Sequence, residues 1–250
     1  ADVLVSGDGE LAIFSALVPQ PSKFIDGDEI AGPLFMSNPI YDATPLPARH
    51  LIDVASYHYT IEGHRATSLI GQLGCPFACG FCGGRNSKSL RVIRTRSSES
   101  IVEEVRMLYA TYGFTGFMFY DDELNLSKTF IPLLDDLSRL QEQLGVDFRF
   151  RGFVKAELFT EAQAIAMYRA GFRWVLSGFE SGAPRILKSI NKKASLIDNT
   201  RAVEIAKRQG LKVKALMSVG HPGESEETVN ETQKWLIQAE PEEFDCTIIT

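Results

Sequence analysis

Short runs of apolar, β-branched and aromatic residues alternate along the chain with longer stretches whose apolar positions recur every three or four residues. The runs fall at 68–73, 115–120, 148–154, 173–178, 212–219 and 244–249, each about the length of a buried strand. The stretches between them, at 98–112, 127–144, 160–169, 184–190 with 196–209, and 225–239, carry the spacing of amphipathic helices. Local punctuation agrees with these bounds. Ser98-Glu99-Ser100 offers a capping hydroxyl and an acid for a first helical turn, and Gly113, Gly145, Gly171 and Gly210 stand where helices end. Strand–helix alternation of this kind requires parallel strands joined by right-handed crossovers. Six such units predict an α/β fold, a partial TIM-like (β/α)6 barrel that stops within its sixth unit.

The first 65 residues follow a different rhythm. A β-rich run at 1–5, a Gly-rich turn at 6–10 and a helical pattern at 11–17 read as the last βα unit of an open α/β domain, whose earlier strands are absent. Residues 18–65 hold six prolines and no sustained periodicity, which predicts a connecting segment with one short hairpin. The expected organisation is therefore a domain remnant at 1–20, a linker at 21–65 and the barrel at 66–250.

Composition narrows the function classes. With 44% hydrophobic and 23% charged residues the 250-residue chain has the balance of a globular protein. It contains no run of 18 apolar residues, so no membrane span is expected. A net charge of −6 without a basic run argues against nucleic-acid binding. The start has no basic n-region and no initiator Met, and reads as the interior of a longer protein rather than a signal peptide. Three of the four cysteines crowd into one loop, unlike a secreted disulfide framework, so a reducing cytoplasm is expected.

That loop, Cys75-Pro76-Phe77-Ala78-Cys79-Gly80-Phe81-Cys82, spaces its thiols C-x3-C-x2-C. A disulfide with a spare thiol, a structural zinc site and an iron–sulfur cluster all deserve weighing. Structural zinc takes four protein ligands, and the nearest extra candidates, His58 and His64, lie upstream in another context. Three thiolates suit three corners of a cubane cluster whose fourth iron stays open. Cys75, Cys79 and Cys82 are the expected metal ligands. Cys246 has no second cysteine nearby and reads as a buried hydrophobe.

With Phe81 just before its last cysteine, the loop resembles the signature of the radical S-adenosylmethionine (SAM) superfamily. The resemblance implies a 4Fe–4S cluster whose open iron chelates SAM and cleaves it reductively to a 5′-deoxyadenosyl radical, which abstracts hydrogen from a small-molecule substrate. It also implies an electron donor of the flavodoxin or ferredoxin type. Carried over by motif, Phe81 would lie against the adenine, and Asp121 and Asp122, in the cluster 121–123 that closes the second strand, would contact the SAM amino group. Ser177 and Glu180 belong to a strand-end segment resembling G-x-E-S-G, with Glu180 placed to accept from ribose or amine. Lys155, rather than Arg151, would meet the SAM carboxylate at the end of the third strand. Gly220-His221-Pro222-Gly223-Glu224 resembles the superfamily's G-x-P-G-E turn, His221 reading as a turn residue rather than a base.

Asp2–Glu10 with its Gly7-Asp8-Gly9-Glu10 turn, the linker 45–49 and the stretch 94–97 resemble the domain junction of the cobalamin-binding branch. That resemblance implies cobalamin-dependent C-methylation, with radical ring formation or rearrangement as the alternative within the superfamily and a non-catalytic iron–sulfur or zinc module outside it. The loop that would ligate cobalt is absent from these residues, so cobalamin contacts would come mostly from sequence upstream. No Walker loop, G-x-G-x-x-G, H-E-x-x-H or G-x-S-x-G occurs, which leaves nucleotide hydrolysis, zinc proteolysis and serine hydrolysis without support.

Overall fold

The computed structural model describes residues 2–19 and 22–249. Ala1, in the first expected strand, Gln20 and Pro21, at the expected boundary of remnant and linker, and Thr250 lie outside them. The elements in chain order are β1 (Leu4–Gly7), α1 (Gly9–Ala16), β2 (Phe24–Gly27), α2 (Asn38–Asp42), β3 (Thr60–Ile61), β4 (His64–Leu69), β5 (Gln72–Leu73), β6 (Arg94–Thr95), α3 (Ser98–Tyr112), β7 (Gly116–Phe119), α4 (Phe130–Leu144), β8 (Arg149–Phe153), α5 (Glu161–Arg169), β9 (Phe172–Glu180), α6 (Pro184–Ser189), α7 (Leu196–Arg208), β10 (Lys212–Val219), α8 (Glu226–Ala239) and β11 (Glu243–Ile248).

Six parallel strands form one curled sheet in the order β11-β10-β9-β8-β7-β4, with β3 added antiparallel at the edge. This is the partial TIM-like barrel that the alternation predicts. Period-two alternation divides the strands between two faces. Phe117, Phe119, Phe150 and Phe172 point to the helix layer, where they meet α3, α4 and α5 in a single core. Phe150 is the hub of that core, stacked on Phe172 at 5.3 Å and on Phe117 at 5.4 Å. Burying each ring is worth about 1.5–3 kcal/mol. The opposite face, carrying Met118, Leu176, Leu216, Phe153 and Trp174, lines the inside of the half-barrel.

Helix bounds follow the sequence closely because the caps are local. Ser97 accepts from the Ser100 amide at 3.2 Å to start α3, and Gly113, in the left-handed region at φ 70°, ends it. Thr160 with Gln163 and Ser195 with Asp198 form capping boxes for α5 and α7.

The first barrel strand departs from expectation. It runs His64–Leu69 and leaves the sheet at Ile70, so the apolar run 68–73 spans a strand end and a turn. Gln72 and Leu73 instead pair antiparallel with Thr95 and Arg94, closing the base of the cysteine loop. A side chain at Gly71 would run into Ile101 and the Asp121 carboxylate, which marks how tightly the exit turn packs.

At the amino end, β1, α1 and β2 form a parallel βαβ unit with Leu4 opposite Phe24. Phe24–Gly27 thus adds a strand within the proline-containing segment. Three aspartates of this region grip the residues downstream of the cysteines. Asp8 pairs with Arg94; Asp28 accepts from Ser87 at 2.5 Å, the Lys88 amide at 2.8 Å and Ser89 at 2.6 Å; Asp42 accepts from the Ser97 amide at 2.8 Å. Burial would raise the Asp28 carboxyl, but the hydrogen bonds from Ser87 and Ser89 outweigh it and hold the group well below the usual carboxylate range.

Cys246 is exposed rather than buried, because every residue of β11 is exposed and no described helix covers the strand. No helix among the described residues is long and apolar enough to cross a membrane.

Candidate active site

The carboxyl ends of the parallel strands converge on a mouth, where chemistry collects in barrels of this kind. The cysteine loop hangs over it, fixed by its backbone. Gly74 turns the chain at φ 90°, where a side chain would overlap the Val92 carbonyl; its amide donates to Asp122 Oδ2 at 2.7 Å. Cys75 N donates to Leu90 O at 2.9 Å, and Arg91 holds the Pro76 carbonyl. Across the mouth the loop docks on the end of α6. Gly80 N donates to Ile190 O at 2.6 Å, and Asn191 Nδ2 donates to Ala78 O at 2.8 Å. Phe81 packs on Ala183, Ile186 and Ile190 and meets the His221 ring edge-on at 5.5 Å.

The three thiols of this anchored loop are free of disulfides. No three His, Cys, Asp or Glu side chains among the described residues gather tightly enough to hold a single metal ion. Ligands to a cluster attach to separate irons and need not converge on one point. The donor set, three thiols on a short loop fixed at both ends, fits a cluster and not a four-ligand structural zinc site. Burial raises the Cys75 thiol, so metal binding there must displace a proton.

Glu180 stands at the end of β9 with φ 63°, a conformation that a non-glycine residue adopts at a cost of about 1–3 kcal/mol. Its carboxylate is the centre of a buried chain. Oε1 accepts from Lys192 Nζ at 3.1 Å, Oε2 accepts from Ser218 Oγ at 2.8 Å, and Ser218 Oγ lies 2.7 Å from His221 Nε2. His221 Nδ1 is buried without a partner among the described residues. Burial alone would lower the Lys192 ammonium, but Glu180, Glu123 and Cys79 reverse the sign and raise it.

Lys155 is buried in the same mouth. Its backbone is held on both sides by Asn125, at 2.8 and 3.0 Å, and its ammonium sits 2.9 Å from Glu157 and 4.1 Å above the ring of Phe77 in the cysteine loop. Lys155 and Glu180, from two strand ends, thus share the mouth with the cysteines and Phe81 of the loop above it.

Two candidates fall elsewhere. Asp121 continues the helix-facing parity of Phe117 and Phe119; it is 2% exposed and accepts from the Gly71 amide at 3.2 Å beneath the mouth. Ser177 shares a face with Val175 and Phe179 and is buried toward the helix layer. Asp122 reaches the loop, but as the acceptor for Gly74. Glu123 is the acid of that trio whose charge meets Lys192 and Lys155, and burial pushes it up to about 7. Ser181 does not cap α6 directly: Ala183 is the N-cap, and its amide donates to Ser181 Oγ at 3.1 Å.

An open half-barrel of parallel strands, with a three-thiol loop docked over its mouth beside a buried acid–hydroxyl–imidazole chain, defines a class of cluster-bearing barrel enzymes. The chain belongs to the radical SAM superfamily, which it matches over residues 69–236. It is 31% identical to an uncharacterized methyltransferase of Pyrococcus horikoshii, over all of this chain and 55% of that protein. It is 28% identical to the anaerobic magnesium-protoporphyrin IX monomethyl ester cyclase of Rubrivivax gelatinosus, over 93% of this chain and 44% of that one. Among solved structures, the radical SAM methyltransferase TsrM of Kitasatospora setae, with cobalamin and a 4Fe–4S cluster bound, superposes with a TM-score of 0.67 at 23% identity, over 74% of this chain and 34% of that one. The chain spans about half the length of the curated relatives it matches. The superfamily's cofactors are a 4Fe–4S cluster and SAM, and the thiol loop fits the first of them.

Proposed function

We propose that this chain is the catalytic barrel of a radical SAM enzyme that methylates an unactivated carbon with the help of cobalamin. The observation that carries its radical SAM part is the seating of the C-x3-C-x2-C loop on the end of α6, where Phe81 meets His221 of the Glu180–Ser218–His221 chain, and methyl transfer rests on the named relatives. When bound, the cluster supplies the electron that splits SAM into methionine and a 5′-deoxyadenosyl radical, and cobalamin supplies the methyl group.

The chain's own residues bind, orient and shield. Cys75, Cys79 and Cys82 hold the cluster. Glu180, fixed by Lys192 and Ser218, presents a charge-matched acceptor for the amine or ribose of SAM. Glu123 and Lys155 flank the space between loop and strand ends, where an ammonium and a carboxylate each find an opposite charge. Phe81 and His221 close one side with their rings and exclude water from the radical. Names of relatives support methyl transfer, and the cyclase relatives support a second reading in which the same radical closes a ring.

Anaerobic reconstitution with iron and sulfide, followed by electron paramagnetic resonance with and without SAM, tests the proposal. A reduced cluster whose signal shifts on SAM addition, and deoxyadenosine formation lost in Cys79→Ala, are expected. A signal indifferent to SAM defeats it.

A further inference from the structure

Most arginines near the barrel are matched by carboxylates. Arg49 and Arg96 share Glu104, and Arg94 pairs with Asp8. On the inner wall, Lys212 pairs with Glu62 at 2.9 Å and Lys214 with Asp245 at 2.8 Å. Arg151 differs. It stands on the inner face of β8, in register between Met118 and Trp174, and forms no ion pair among the described residues. Its buried Nε is a donor shut off from water with no acceptor among the described residues. The Trp174 ring lies 5.7 Å from the guanidinium and the phenol of Tyr59 beside it, while Lys212 and Lys214, which border the same rings, are already paired with Glu62 and Asp245. Tyr59 and Tyr120 in turn line a cavity of about 540 Å³ along β4, large enough for a ligand of drug size.

We propose that Arg151 is the anion-binding residue of a substrate subsite inside the half-barrel, taking the carboxylate of a flat, mainly apolar molecule. The subsite rests on the radical-enzyme reading for the word substrate. A planar guanidinium fork matches a carboxylate held by two parallel hydrogen bonds, and Arg149, two positions back on the same face, is turned to the Phe148 carbonyl. Rings at Tyr59, Tyr120, Phe153 and Trp174 favour a planar body over a flexible one. Lys155, at the mouth, lies four positions beyond Arg151 and just past the end of β8, about 13 Å on at a strand's rise. A molecule anchored at Arg151 therefore reaches the mouth only if it spans on the order of that length, as linked or fused rings do.

The probes are 6-fluoro-2-naphthoate and its primary amide, titrated against the chain by fluorine NMR. The acid is expected to bind at least tenfold more tightly than the amide. Arg151→Gln should bring the two within about twofold of each other, and Arg151→Lys should keep part of the preference. Equal binding of acid and amide, an unchanged preference in Arg151→Gln, or binding of neither probe overturns the subsite. An unaltered circular dichroism spectrum shows that the variant is folded. This measurement needs neither cluster nor SAM, so a cluster signal that ignores SAM would sink the radical reading separately and be told apart from loss of the naphthoate preference.

Discussion

Asp8 and Arg94, 86 residues apart, form an ion pair in which the arginine side chain is fully buried and the aspartate nearly so. The pair joins the βαβ unit at the amino end to the ribbon that closes the cysteine loop. Removing one partner of such a pair typically costs about 3–5 kcal/mol, because the survivor is left charged and dry. Asp8→Ala should therefore lower the melting temperature by on the order of 10 °C for a chain of this size, and Asp8→Ala with Arg94→Met should recover much of it. A melting temperature within a degree or two of the parent in Asp8→Ala would show that the pair contributes nothing.

The cysteines should behave as a set. Alanine at 75, 79 or 82 is expected to abolish the broad visible absorption of a reconstituted cluster and to leave far-ultraviolet circular dichroism unchanged, since the loop is held by backbone bonds to Leu90 and Ile190. Cys246→Ala should leave iron and sulfide content at the parental level. Retention of a full cluster in any of the three loop variants would remove that residue from the ligand set.

Glu180→Gln keeps the shape and removes the charge. A charge-assisted bond is worth about 1.5–3 kcal/mol, so SAM affinity should fall at least tenfold, read from the titration of the cluster's resonance signal. Thermal stability should fall as well, because one amide oxygen replaces two acceptors and the buried Lys192 ammonium loses its charge partner, so affinity is compared at a temperature where circular dichroism shows both proteins folded. An unchanged affinity would place SAM elsewhere.

Burial pushes the Asp121 carboxyl up to about 7, against an unfolded value of 3.8. The folded form thus holds its proton more tightly than the unfolded one. Its stabilising contribution is complete below pH 4 and is lost as the pH rises through 7. Glu123, also raised to about 7, acts in the same direction. Urea unfolding at pH 5 and pH 8 should show a native chain less stable at the higher pH by a few kcal/mol, on the order of the shift. Asp121→Asn should remove about half of that difference, leaving the share of Glu123, and an undiminished loss in the variant would assign it to other groups.

Much of the fold is written in local signals. The bounds of α3 follow from a serine and acid cluster at its start and Gly113 at its end, although the capping hydroxyl is that of Ser97, one residue before the Ser98-Glu99-Ser100 stretch that the sequence offers. The cysteine loop is read from spacing alone. Some site geometry was also present in the chain's period-two pattern: Phe117 and Phe119 fix the parity that sends Asp121 to the helix side, and Val175 and Phe179 do the same for Ser177. Other features depend on distant partners and leave no local trace. The apolar run 68–73 hides the exit turn because Gly71 is set by packing on Ile101. Glu123 gains its place from Lys192, nearly 70 residues on. The grip of Asp8, Asp28 and Asp42 on residues 87–97 joins segments with no shared periodicity.

The strand β11 carries a consequence for handling the chain. Among the described residues it has β10 on one side and no strand on the other, with Phe244 and Ile248 exposed at 58% and 71%. Its free amides and carbonyls are a template on which another extended segment can add. Acids at Glu243 and Asp245 space those sticky positions and oppose pairing while they are ionised. Acidic buffers and high salt, which weaken that repulsion, are thus the conditions under which this chain will stack edge to edge and come out of solution.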